Sequence, residues 1–133
     1  MDLRTTPTGD GGAEVTLRLT PAESEMLGDD TSTLMALLAR GLWAAADLRH
    51  GVTREEWWPV VMDTSRLIHA LSGIRDAALR EAPGDSMSHA DLARWYGESR
   101  TTIASRRQRG ALPPTAPSTW ETWARTGDLP PHP

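Results

Sequence analysis

Cysteine, lysine, phenylalanine and asparagine are all missing from the 133-residue chain. The first absence excludes disulfides, thiolate nucleophiles and cysteine-ligated zinc. Without lysine, all 14 basic residues are Arg; without phenylalanine, the aromatic bulk is six Trp and one Tyr. Long hydrophobic runs are missing too. The richest, around Leu34 to Ala46, is interrupted by Arg40 and Gly41, so no membrane span is expected. The opening Met1-Asp2-Leu3-Arg4 lacks the basic start and apolar core of a secretory signal, and a cytoplasmic location is expected. Hydrophobic residues make up 38% of the chain. That predicts one domain with a thin core, and a homodimer is a natural way to bury more apolar surface.

Catalytic spacings are equally scarce. No Gly-x-Ser-x-Gly, phosphate loop or dinucleotide fingerprint occurs, and the four His (50, 69, 89 and 132) have no metal-ligand spacing with Asp or Glu. His69, beside an apolar stripe, reads as a core residue. Glu55-Glu56 and Asp29-Asp30 read as acids complementing helix N-termini. Neither an enzyme, a metal site nor a cofactor is expected.

What is present is a segmented helical pattern. Residues 1–12 are turn formers with little apolar content, which predicts a flexible tail. Glu14 to Thr20 alternates strictly, with Val15, Leu17 and Leu19 on one face, as a half-buried strand does. One strand is not stable alone, so it must pair with a copy of itself, lie along a helix, or not form. Thr20-Pro21-Ala22-Glu23 is a helix start, and a short helix runs to Leu27. A second helix begins near Ser32 and ends at His50-Gly51. Thr53-Arg54-Glu55-Glu56 is another capping box whose helix meets Pro59, a kink or restart. From Val61 an apolar stripe continues through Leu67, Ile68, Leu71 and Ile74 to Leu79, predicting a long helix to Glu81 that Ala82-Pro83-Gly84-Asp85 breaks. Domain 13–81 is thus a strand plus helical bundle, expected to dimerise. Trp43, Trp57, Trp58 and Trp95 read as core filling. Residues 111–133 form a Pro-rich extension with a short helix, opened by a Ser118–Glu121 capping box and carrying Trp120 and Trp123. Its role is either to pack back or to dock a partner, with packing back favoured.

Charge is unevenly placed. The chain carries −4 overall, but Ser88 to Gly110 holds five Arg against Asp91 and Glu98, a basic segment on an acidic body. Within residues 86–110 two short amphipathic helices, Ser88 to Tyr96 and Ser99 to Arg109, flank Gly97. Ala93 is small where a second helix would cross, Gly97 suits a turn with positive φ, and Ile103 is the branched apolar residue the second helix buries. Leu92 and Tyr96 complete the buried side, and Ser99 is placed to cap the second helix.

The run His89 to Arg109, with Gly-x-Ser-Arg-Thr-Thr-Ile at its centre, resembles the helix-turn-helix of bacterial regulators and site-specific recombinases. Two positions depart from that pattern: Glu98 and Arg106 stand where such motifs bury apolar residues. A buried Glu is costly unless paired, so Glu98 must face solvent or pair with an Arg. The resemblance implies sequence-specific binding of double-stranded DNA by a small transcriptional regulator. Arg100, Thr101, Ser105 and Gln108 would face base edges, Arg106, Arg107 and Arg109 would lie along phosphates, and Ser99 as the cap and Ala104 on the outer face complete the DNA-binding set. Arg-only basicity, abundant Ala and the missing Asn and Lys fit a high-GC bacterial genome, such as an actinobacterium, its plasmid or its phage. Two other readings stand beside this one. The acidic 21–81 bundle could be the working surface of a protein–protein adaptor, the helix-turn-helix then being structural. The strand followed by helices could be a ribbon-helix-helix, with Glu14, Thr16 and Arg18 as readers. The fold expected is mostly α, with a helical bundle, a helix-turn-helix near the C-terminus and one short N-terminal strand.

Overall fold

In the computed structural model the described residues are 1–82, 86–113 and 116–128, residue 29 by its backbone only. The chain is mostly helical, with a two-stranded antiparallel sheet at its N-terminus. The strand expected over 14–20 forms as β2 (Ala13–Arg18), and its partner is β1 (Asp2–Pro7). Leu3 pairs with Leu17 and Thr5 with Val15. This corrects two readings. Residues 2–7 are not a tail, and β2 pairs within the chain rather than as half of a symmetric ribbon of two copies. The connection explains why. Thr8-Gly9-Asp10-Gly11-Gly12 closes on itself, Thr8 N–H donating to the Gly12 carbonyl at 2.9 Å, and the Asp10 carboxylate accepts from Gly12 N–H at 3.1 Å. A Gly-rich connection between two extended segments is a hairpin signal. The low apolar content of residues 1–7 masked it.

Thr20 caps α1 (Pro21–Leu27) in a complete capping box with Glu23. A 3₁₀ turn over Gly28–Asp30 leads into α2 (Thr31–His50). α3 (Trp57–Glu81) runs back along α2. The Thr53–Glu56 box forms by one arm, Glu56 accepting from Thr53 N–H at 2.9 Å, while Glu56 N–H donates to the Thr53 carbonyl and closes a turn before the helix. α3 starts at Trp57, so Pro59 falls in its first turn, where a missing N–H costs nothing. The expected kink does not arise. α2 and α3 approach closely where Gly41 faces Leu67, and Arg40 and Arg66 both lean on Asp63, at 3.3 and 3.7 Å. The break at 83–85 and the tail 130–133 lie outside the described residues, as do residues 114–115 of the Pro-rich linker.

The core is centred on the C-terminal extension. α6 (Thr119–Thr126) packs on α3, with Trp120 and Trp123 in edge-to-face contact at 5.4 Å against Ala70. Leu27, Leu34, Leu37 and Ile74 pack around them. Gly73 makes the approach possible: a Cβ there would lie 2.5 Å from Trp120 Cβ and 2.8 Å from Glu121 N. Trp123 Nε1 donates to Asp30 at 3.0 Å, tying α6 to the start of α2. Asp30, read as a helix N-terminal acid, does hold the N-cap position of α2, yet its carboxylate serves Trp123. Ser118 caps α6, but the capping box stays half formed, because Glu121 is 2% exposed and paired with Arg80. Trp43, Trp57, Trp58, Trp95 and His69 are all exposed, against the expectation that they fill the core. The two Trp of α6 supply that bulk instead. No helix among the described residues is long and apolar enough to cross a membrane.

Candidate nucleic-acid interface

The basic segment folds as α4 (His89–Tyr96) and α5 (Arg100–Gln108). Ser88 caps α4, its hydroxyl oxygen accepting from Asp91 N–H at 3.1 Å. The Ser88 hydroxyl also donates to the Asp91 carboxylate at 2.6 Å, which holds that carboxyl below its usual range despite some desolvation. Gly97 ends the helix in the left-handed region, at φ +72°, and the N–H groups of Gly97 and Glu98 both donate to the Ala93 carbonyl. A residue with a Cβ resists that conformation. Ser99 then opens α5, its hydroxyl oxygen accepting from Thr102 N–H at 3.1 Å. The turn is therefore built from three adjacent local devices: an αL glycine, a shared carbonyl and a serine cap.

Leu92 and Ile103 bury the contact between the two helices, Ile103 being 0% exposed. Glu98 and Arg106 come together beside them. Arg106 Nη1 lies 2.7 Å from Glu98 Oε2, both side chains about three-quarters buried, as an ion pair rather than a well-angled hydrogen bond. The two departures from the helix-turn-helix pattern thus compensate each other. Each charge has a counter-charge where an apolar residue would otherwise pack. The opposite signs eight residues apart, at two positions expected to be apolar, were the available signal in the sequence.

The pair rests on the C-terminal end of α3. Tyr96 lies under the Arg75 guanidinium, 4.6 Å from ring centroid to Cζ, and its hydroxyl donates to Asp76 at 3.5 Å. Burial, then the Asp76 carboxylate, pushes the phenol upward, so it stays a donor. Leu79, Arg80, Met87, Leu92, Arg107 and Leu112 line a small cleft along this seam. None of this docking was legible in residue spacing.

Of the residues expected to contact DNA, the structure brings together one clear set. Thr101, Ser105 and Gln108 share a stripe of α5 facing away from Ile103, and Arg109 follows at its end. All four are exposed, as is Arg100 in the first turn. Ser99 is exposed but its hydroxyl is committed to the cap. Ala104 is half-buried. Arg106 departs from the expected phosphate role, because its guanidinium is held by Glu98. Arg107 is half-buried on the cleft. Arg94 and Trp95 of α4 are exposed as well and were not singled out as site residues. Among the described residues no three His, Asp or Glu side chains converge as metal ligands. No family model, curated protein or solved structure matches the chain.

Proposed function

We propose that the chain binds duplex DNA in a sequence-dependent manner through the α4–α5 pair, used as a helix-turn-helix, as a small transcriptional regulator does. One observation carries the reading. α5 buries Ile103 on one side and presents Thr101, Ser105 and Gln108 on the other, with Arg100 exposed in its first turn and Arg109 exposed just past its end. Hydroxyl and amide groups on one helical stripe, flanked by guanidinium groups at its ends, are the donor and acceptor set that reads base edges in a major groove. In this arrangement α5 enters the groove, Arg100, Thr101, Ser105 and Gln108 meet bases, and Arg107 and Arg109 meet phosphates. Arg106 positions the turn through Glu98 and leaves the phosphate set.

The adaptor reading makes the acidic helical bundle the working surface and leaves the α4–α5 pair a structural role; the exposed apolar residues of α2 and α3 support it. Selection from a random duplex pool separates the two. Enrichment of a defined sequence, lost on removing the α5 side chains, is the expected result. Recovery of the input pool unchanged would overturn the proposal.

A further inference from the structure

α2 and α3 carry a second apolar pattern on which several large side chains stay exposed, with Met35 and Leu38 half-buried and Tyr96 meeting it at the Arg75 end. On α3, Trp57, Val61, Thr64, Ile68, Leu71 and Arg75 recur at alternating steps of four and three residues. On α2 the same steps pick out Thr31, Met35, Leu38, Leu42, Ala45 and Arg49. That is the seam spacing of helices that pack side by side. Leu42 is 72% exposed and Ile68 64%, and Trp57, Val61 and Leu71 are open as well. Both seams lie on one side of the antiparallel α2–α3 pair. The opposite side is the one α6 covers at Ala70 and Gly73, and where Arg40 and Arg66 meet Asp63.

We infer that a second copy of this chain occupies this face, the two α2–α3 pairs closing a four-helix bundle. Charge argues for a copy over a charged partner. The seams hold no carboxylate, and their charges, Arg49 and Arg75, sit at the ends, Arg75 paired with Asp76, so the middle of the face is uncharged and matches the uncharged middle of an identical one. Spacing argues the same way: this chain itself offers two helices with three-and-four seams, the pattern that closes a four-helix bundle. Area is sufficient. A two-helix face about 30 Å long and 20 Å wide gives roughly 600 Å² per copy, or about 1,200 Å² for the pair, which is the lower bound of stable interfaces.

The inference stands without the DNA reading and supplies it with a geometry. The α4–α5 pair docks near Arg75 and Asp76, toward the end of the 25-residue α3. If antiparallel α3 helices cross at mid-seam, near Arg66, residues 75–79 of the two copies lie roughly 30–40 Å apart at 1.5 Å per residue. One duplex turn, about 34–36 Å, falls inside that range.

Sedimentation of the full chain at micromolar concentration, without DNA, is the test. The wild type is expected at twice the 14.5 kDa chain mass. Leu42→Glu and Ile68→Glu are expected to sediment as single chains with unchanged helical circular dichroism, since both side chains are exposed within one copy. A monomeric wild type would overturn the inference and leave the face to a different protein. A dimer that survives both substitutions would place the interface elsewhere and overturn it equally. With no DNA in the cell, a monomer leaves duplex binding by α5 standing, and a failure to bind duplex leaves the dimer standing.

Discussion

Gly97 holds φ at +72°, and a Cβ built on it meets nothing within 4 Å. The demand for glycine here is therefore conformational and not steric. Gly97→Val is expected to lower stability by about 1–2 kcal/mol, the cost of left-handed backbone for a branched residue, seen as a melting point several degrees lower. An unchanged melting point would mean that the turn opens a different way. At Arg100 the question is recognition. The side chain is exposed in the first turn of α5 and no ion pair with it is found among the described residues. Arg100→Ala is expected to cost about 1–3 kcal/mol on a selected duplex and little on random DNA. Equal losses on both would make it a phosphate contact.

Between elements, the Glu98–Arg106 contact joins the turn to the last turn of α5. Removing one partner leaves a largely buried charge alone, whereas replacing both with apolar residues restores packing. Glu98→Val and Arg106→Leu should each lower the melting point, and the double variant should recover most of the loss. Additive losses, measured as a double-mutant cycle, would show that the pair is not coupled. A second junction is α6 on α3. Gly73→Val would drive atoms into Trp120 Cβ, Glu121 N and Ser118 Oγ, all within 2.9 Å of the new Cβ. We expect a loss of about 1–3 kcal/mol from overpacking, together with a red-shifted Trp emission as Trp120 and Trp123 meet water. A stable variant with native emission would show that α6 can slide.

Across the whole molecule the charge is opposed to itself: −4 in total, with +3 between Ser88 and Gly110 and −7 elsewhere. The acidic body must point away from a duplex, or its field cancels the basic helix. Because Arg106 is neutralised by Glu98, the phosphate contacts left from the expected set are Arg107 and Arg109. Two contacts predict that log K falls against log salt with a slope of about −2 for one helix pair and about −4 for a dimer. Duplex titrations from about 50 to 200 mM salt check this. A flat response would remove phosphate from the interface altogether.

Local signals announced local structure. Thr20-Pro21-x-Glu23, Ser88 and Ser99 announced helix starts, Gly97 a left-handed stop, and Val15-x-Leu17 a strand, because caps and alternation act over a few residues. The helix pair was legible for the same reason, down to the buried Leu92 and Ile103. Partners distant in sequence were not. That β1 pairs with β2, that Glu121 leaves its own cap for Arg80, and that α6 supplies the core are outcomes of packing. Apolar stripes were visible on α2 and α3, but a stripe does not name its neighbour. By itself the sequence determined where helices begin and end and which residues line one side of α5. Only the tertiary structure decided which apolar faces close within the chain and which stay open, since Gly73 lets α6 in on one side while Leu42 and Ile68 on the other stay exposed among the described residues.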